Sequence, residues 1–147
     1  MSRVDFYYPL ADVMAFARKL LQTAYHRQNR VFVLLANASV LQDFSVRLWC
    51  LKDDAFVPHC DIQAKEASET PIILGTSILE HNEKLPAILL NLTEDANPKN
   101  YAMSFERVLE MTQNTKESQA VAHERLIYYQ NQAFEIYQHD MSASLVG

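Results

Sequence analysis

Val31-Phe32-Val33-Leu34-Leu35-Ala36 is six consecutive apolar residues with no polar position among them. A strand with one wet face alternates apolar and polar residues, whereas a strand covered on both faces reads as a continuous apolar run. The stretch is therefore expected to be an inner strand of a parallel sheet. Ala87 to Leu92, apolar except at Asn91, is expected to be a second buried inner strand. Between the chain start and Val31, apolar residues recur at Leu10, Val13, Met14, Ala17, Leu20, Leu21 and Ala24. Spacings of three and four mark one face of a helix. Val4 to Tyr8, rich in β-branched and aromatic residues, reads as a first strand stopped by Pro9.

Downstream of the inner strand, Ser39 followed by Gln42 predicts a capped helix start, with Leu41, Phe44, Leu48 and Leu51 on one face. Lys52 to Glu69 is polar and reads as loop, apart from Phe56-Val57-Pro58. Pro71 to Gly75 is a short strand, and His81 to Lys84 is a loop. Phe105 to Met111 carries interleaved charges, which places it nearer a sheet edge. Asn114 with Glu117 predicts a last long helix to about Gln132. Strands alternating with helices give β-α-β units. The expected fold class is α/β: three layers, a mostly parallel sheet flanked by helices, Rossmann-like without a phosphate loop. The 147 residues suit one domain, 1–147.

The charge balance narrows the function. Acids outnumber bases, 18 to 13, for a net charge of −5. Nucleic-acid binding draws on clustered Lys and Arg, so no direct nucleic-acid contact is expected. The first residues, Met1-Ser2-Arg3-Val4-Asp5, do not read as a signal peptide. No apolar run is long enough to span a bilayer. A cytoplasmic chain with no membrane contact is expected.

The chain has two glycines, Gly75 and Gly147. Phosphate loops need glycines so that backbone N–H groups can approach the phosphates. The turns after the first two strands, Tyr8-Pro9-Leu10 and Ala36-Asn37-Ala38, contain none. No nucleotide cofactor is expected. Glu94 and Asp95 follow a strand but read as solvated surface. His59-Cys60-Asp61 is the densest set of potential metal ligands, yet no partner pair stands at ligand spacing, so no metal is expected. Cys50 and Cys60 read as small buried hydrophobes rather than a disulfide. Asn91-Leu92-Thr93 matches a glycosylation acceptor but falls in an expected buried strand.

Two places carry more apolar surface than one core accounts for. Trp49 follows Leu48 directly, so it points about 100° away from the apolar stripe. Phe56-Val57-Pro58 lies in a loop bounded by Lys52-Asp53-Asp54 and His59. Interface centres favour Trp and other aromatics, so these residues are candidate partner contacts, a folded-back core cluster being the alternative. Leu126-Ile127-Tyr128-Tyr129 occupies four successive helical positions and points in four directions. Either that helix is sandwiched or part of the run meets a partner.

Trp49-x6-Phe56-Val57-Pro58-His59 resembles the Trp and Phe-Val-Pro-His pattern of the chi subunit of bacterial DNA polymerase III. Phe6-Tyr7-Tyr8, the length, and Ala122-x-Glu124-Arg125-x3-Tyr129 followed by Phe134 agree with that family in order along the chain. The resemblance implies an α/β domain without a catalytic site, a subunit of the holoenzyme. It implies a heterodimer with the psi subunit, through Trp49, Phe56, Val57, Pro58 and His59. Psi in turn would tether the chain to the clamp-loader complex. It also implies binding of the acidic C-terminal tail of single-stranded DNA-binding protein (SSB) by the last helix. The tail residues carried over are His123, Arg125, Leu126, Ile127, Tyr128, Tyr129 and Phe134. The family offers a pattern like Arg-x-Arg-Tyr-Lys, and this chain has His123, Arg125, Leu126 and Ile127 at the named positions. An anionic peptide needs basic partners, so the tail site is expected to be weakened, moved or lost. The rival reading is a small cytoplasmic α/β enzyme or ligand-binding domain, with a deep polar pocket at the carboxyl ends of the strands.

The missing glycines make a direct prediction. ATP and dinucleotides at 100 µM are expected to leave the melting temperature unchanged. A ligand selective for the folded state must raise it, so a clear shift would overturn the reading.

Overall fold

The structure is a computed structural model. It describes residues 2–49, 58–61, 70–77, 85–94 and 97–142, with the side chains of Trp49 and Asp61 left out. Phe56, Val57, Cys50, Leu51, Asp95 and the expected loop His81 to Lys84 lie outside the described residues.

Seven strands form one sheet: β1 (Arg3–Leu10), β2 (Val31–Leu34), β3 (His59–Asp61), β4 (Ile72–Gly75), β5 (Ile88–Asn91), β6 (Arg107–Gln113) and β7 (Glu135–Asp140). Their order is β3-β4-β2-β5-β6-β1-β7, and every pair is parallel. Three α-helices are described: α1 (Val13–His26), α2 (Ala38–Trp49) and α3 (Lys116–Asn131). Two 3-10 turns, Pro98–Asn100 and Ala102–Ser104, precede β6. The α/β expectation holds, with the sheet wholly parallel among the described residues.

The two apolar runs are the inner strands β2 and β5. Each residue of β2 is buried, because α1 and α2 cover one face while the 3-10 turns and α3 cover the other. Leu21, Val33, Phe44, Leu48, Leu74 and Leu90 fill the α1–α2 side. Phe6, Phe32, Leu89, Phe105, Val108 and Tyr129 fill the α3 side.

Several expectations need correction. Pro9 does not stop β1; the strand runs on to Leu10 through a cis Tyr8–Pro9 bond and a register shift after Tyr7. The cap of α2 is Asn37, whose Oδ1 accepts from Val40 N at 2.9 Å, so Ser39 already lies inside the helix. The cap of α3 is Thr115 rather than Asn114, accepting from Ser118 N at 3.1 Å. The strand read nearer an edge, β6, lies between β5 and β1. Its charges mislead because Glu110 is buried and paired within the protein. The edges are instead β3 and β7, both absent from the sequence reading. The first is three residues long, and the second is polar but for the adjacent Ile136 and Tyr137, too short an apolar stretch to betray a strand.

A second charged group anchors the β7 end. Asp5 on β1 is fully buried. It accepts from Arg3 at 2.9 and 3.1 Å and from Arg107 at 2.7 Å, and His139 Nε2 lies 2.9 Å away. These groups come from β1, β6 and β7, so one carboxylate ties three neighbouring strands. Burial pushes the Asp5 carboxyl upward, but the hydrogen bonds from Arg3, His139 and Arg107 together outweigh it and hold it below the usual carboxylate range.

A carboxyl lowered on folding stabilises above its unfolded pKa, and that contribution is lost as pH falls through the folded value. The gap in unfolding free energy between the protein and Asp5→Asn is therefore expected to be constant from pH 7 to about 5. It should shrink below about pH 4, the unfolded value. Urea titrations across that range check it; a gap that widens in acid would refute the assignment.

Candidate partner-binding surfaces

A second heavily bonded buried carboxylate is Glu110 on β6, facing α3. Its Oε2 accepts from Tyr101 OH at 2.5 Å and Tyr129 OH at 2.6 Å. Its Oε1 accepts from Asn91 Nδ2 at 2.9 Å and Arg125 Nη1 at 3.3 Å. Asn91 faces Glu110 across the β5–β6 register, and its Oδ1 accepts from Thr93 N and Oγ1 at 3.0 and 2.7 Å. Arg125 Nη2 reaches Thr93 O at 3.0 Å. Burial, and next the Glu110 charge, push both phenols far above the ordinary tyrosine value. Both therefore remain protonated donors. The glycosylation-like Asn91-Leu92-Thr93 is part of this interior network.

The network decides where the expected tail residues point. Arg125 and Tyr129, one turn apart on α3, face inward with 4% and 0% exposure. Phe134 is buried in the same cluster. Leu126 and Tyr128 are half-buried, while His123 and Ile127 are exposed. Of the seven carried-over residues, His123 and Ile127 thus face water most fully. The four-direction run resolves accordingly: Tyr129 inward, Ile127 outward and the other two between. The Arg125 side chain is engaged with Glu110 and the Thr93 carbonyl, and nothing in the sequence run distinguished it from a surface cation.

Beside α3 lies a cavity of about 490 Å³ at the carboxyl ends of β1, β6 and β7. Phe6, Tyr8, Thr112, His123, Leu126 and Gln138 line it, with Asp140 at its wall. Hydrogen bonds from the Ser142 hydroxyl and then its N–H hold the Asp140 carboxyl below the usual range, so it is an anion at neutral pH. The cavity thus offers one histidine and one carboxylate to an incoming ligand.

The other expected surface lies at the opposite sheet edge. His59 opens β3 and is buried, with Nε2 3.0 Å from Ser45 Oγ on α2. Ser45 stands one turn before Trp49, so this contact joins the end of α2 to β3. Pro58 and Cys60 are half-buried, and Cys60 packs against the α3-side core. Of this set, Phe56, Val57 and the Trp49 side chain lie outside the described residues. Among the described residues, no group of three or more His, Cys, Asp or Glu is placed to hold a metal ion, and no helix is long and apolar enough to cross a membrane.

A sequence model of the DNA polymerase III chi subunit, HolC, matches residues 1–137. The chain belongs to the DNA polymerase III chi subunit family. The chi-family relative from Pseudomonas aeruginosa, DNA polymerase III subunit chi, is 29% identical over 143 residues, covering 95% of this chain and 96% of its own. The chain therefore falls among accessory subunits of a DNA replication polymerase. Two solved structures share the fold. The crystal structure of T4 UvsW superposes with a TM-score of 0.65 at 9% identity, over 95% of this chain and 41% of that one. A Saccharomyces cerevisiae Dbp5 C-terminal domain, bound to Gle1 and IP6, gives 0.63 at 9% identity, over 95% and 90%. At such identity the likeness is one of fold alone, and chi-family membership rests on sequence.

Removing one partner from a buried ion pair strands the other and typically costs about 3–5 kcal/mol. Glu110→Gln is expected to fall in that range and to destabilise more than Arg47→Ala. Arg47 pairs with Asp43 at the surface, where about 0–1 kcal/mol is usual. Denaturant melts of both variants check this; equal losses would show that the network carries no special weight.

Proposed function

We propose that the chain is a non-catalytic adaptor of the clamp-loader complex, pairing with the psi subunit and linking the replisome to SSB. The observation that carries this reading is the match to the chi family along residues 1–137, with a chi relative aligned over 95% of the chain. Such an adaptor works by holding two partners on separate surfaces, and it needs a rigid frame rather than reacting groups. The sheet with its two buried charge clusters supplies that frame. Its expected place is the cytoplasm, where replication occurs.

The psi contact is assigned to Trp49, Phe56, Val57, Pro58 and His59. Pro58 is half-buried, and the buried His59 fastens the start of β3 to α2 through Ser45. The SSB tail contact is assigned to the α3 side. His123, Leu126, Ile127 and Tyr128 are the available residues there, with the cavity beside them taking an apolar end. Arg125, Tyr129 and Phe134 support that surface from beneath. With Asp140 at the same wall, an acidic tail meets an anion as well as a histidine, which favours weak, salt-sensitive binding.

One observation favours the rival class. The cavity stands outside the carboxyl ends of strands, where ligands of α/β proteins usually bind. A small neutral or cationic ligand would suit it better than an anion. A metabolite panel read by thermal shift, compared with Leu126→Glu, separates a ligand-binding domain from an adaptor.

Trp49→Ala and Phe56→Ala are each expected to cost about 2–4 kcal/mol of psi binding, as anchor truncations do. Co-purification with psi should be lost while the chain still melts cooperatively. Calorimetry showing unchanged affinity would mean that these residues belong to the core.

A further inference from the structure

Helices α1 and α2 cover the same face of the sheet, and a pocket of about 270 Å³ opens between them. Met14 and Val40, in the first turns of the two helices, form part of its wall. Those turns follow the carboxyl ends of β1 and β2, the side of an α/β sheet where ligands usually bind.

Four charged side chains line the pocket, two acids and two bases: Asp12, Asp43, Arg18 and Arg47. Three of them have partners within the chain. Asp12 caps α1, its Oδ1 accepting from Ala15 N at 3.0 Å. Asp43 Oδ2 accepts from Arg47 Nε at 3.0 Å, one helix turn along. Arg18 is the exception, because its Nη1 is buried and meets no hydrogen-bond acceptor. A buried donor left unsatisfied is costly. In native proteins such a donor is usually met from outside the chain where the chain itself supplies nothing.

The lining specifies the chemistry of the ligand. A guanidinium binds a carboxylate through parallel hydrogen bonds. A simple anion would also stand beside Asp12 and Asp43, which oppose it. Asp12 Oδ2 and Asp43 Oδ1 accept no hydrogen bond among the described residues, and oxygens of that kind suit an ammonium. Met14 and Val40 with the buried Phe44 supply an apolar wall. The volume lies just below the usual range for drug-sized ligands, so it suits a molecule smaller than a peptide or a nucleotide.

We propose that the pocket between α1 and α2 binds a free α-amino acid with an apolar side chain. The ligand carboxylate takes the Arg18 guanidinium, and its ammonium takes the unused oxygens of Asp12 and Asp43. Its side chain lies on Met14, Val40 and Phe44. A zwitterion adds no net charge to a lining that has none. The site involves neither partner surface, so it stands or falls apart from the adaptor reading.

The test is calorimetry on the full chain with L-leucine as the probe. L-leucinamide lacks the carboxylate and 4-methylpentanoate lacks the ammonium; each is expected to bind about tenfold more weakly or worse. Arg18→Met keeps an unbranched apolar stem and removes the buried donor. It is expected to weaken leucine binding about tenfold or more. The melting temperature of the free chain should hold or rise, because no hydrogen bond is lost. Asp43→Asn, at an exposed position, is expected to weaken leucine but not 4-methylpentanoate, which separates an ammonium contact from general damage. No heat from leucine, methionine or phenylalanine at about 10 mM overturns the site. Displacement of leucine by sulfate overturns it too, leaving an adventitious ion only, as does 4-methylpentanoate binding as tightly as leucine. If no amino acid binds while Arg18→Met loses psi, the cation belongs to the psi contact and the pocket assignment fails.

Discussion

Glu110 is the group on which the α3 side of the molecule depends. A carboxylate in a low-dielectric interior is costly unless its lone pairs are engaged. Here four donors meet it, from β5, the segment before β6, and two positions of α3. Each element is thereby fixed by direction as well as by contact. Helix α3 illustrates the point, because its buried positions are Ser118, Arg125 and Tyr129, hardly an apolar stripe. It docks by hydrogen bonding and aromatic packing, Tyr129 lying edge-on to both Phe6 and Phe134.

That mode of docking explains which parts of the fold were legible in the sequence. Strands β2 and β5 announce themselves because burial on both faces leaves them apolar, with Asn91 at the end of β5 the one exception. Helix α1 is legible for a related reason, one apolar stripe against one layer. Strand β6 was misplaced because Glu110 reads as solvent-facing until its partners are known, and those are 9 to 19 residues distant in sequence. The same blindness affected Arg125, taken for a ligand-binding cation when it faces the interior. His59 was grouped with surface contacts, yet it is buried against Ser45. The family pattern was readable because it consists of side chains in order, whereas their orientation comes from pairings across the sheet.

The two buried acids divide the molecule's electrostatics. Glu110 draws Arg125 inward on the α3 side, which leaves His123 and Asp140 around the cavity there. Asp5 gathers Arg3, Arg107 and His139 on the other face, and Tyr7 stacks on His139 at 4.5 Å between ring centroids. Cations held by Asp5 stay partly exposed, while the one held by Glu110 does not. Surface composition would not show that asymmetry; it follows from which carboxylate sits beneath which guanidinium.

Strand β1 has one further consequence. It is the first strand in the chain, yet its two neighbours are β6 and β7, from Arg107 onward. During synthesis, the early strand has no partner until the last third of the chain has left the ribosome. Long-range parallel pairing is slow to form, and exposed strands of partly made chains invite aggregation. The amino-terminal segment therefore waits longest for its place. Cellular yield should depend more on what shields that segment in the interval than on the stability of the finished sheet.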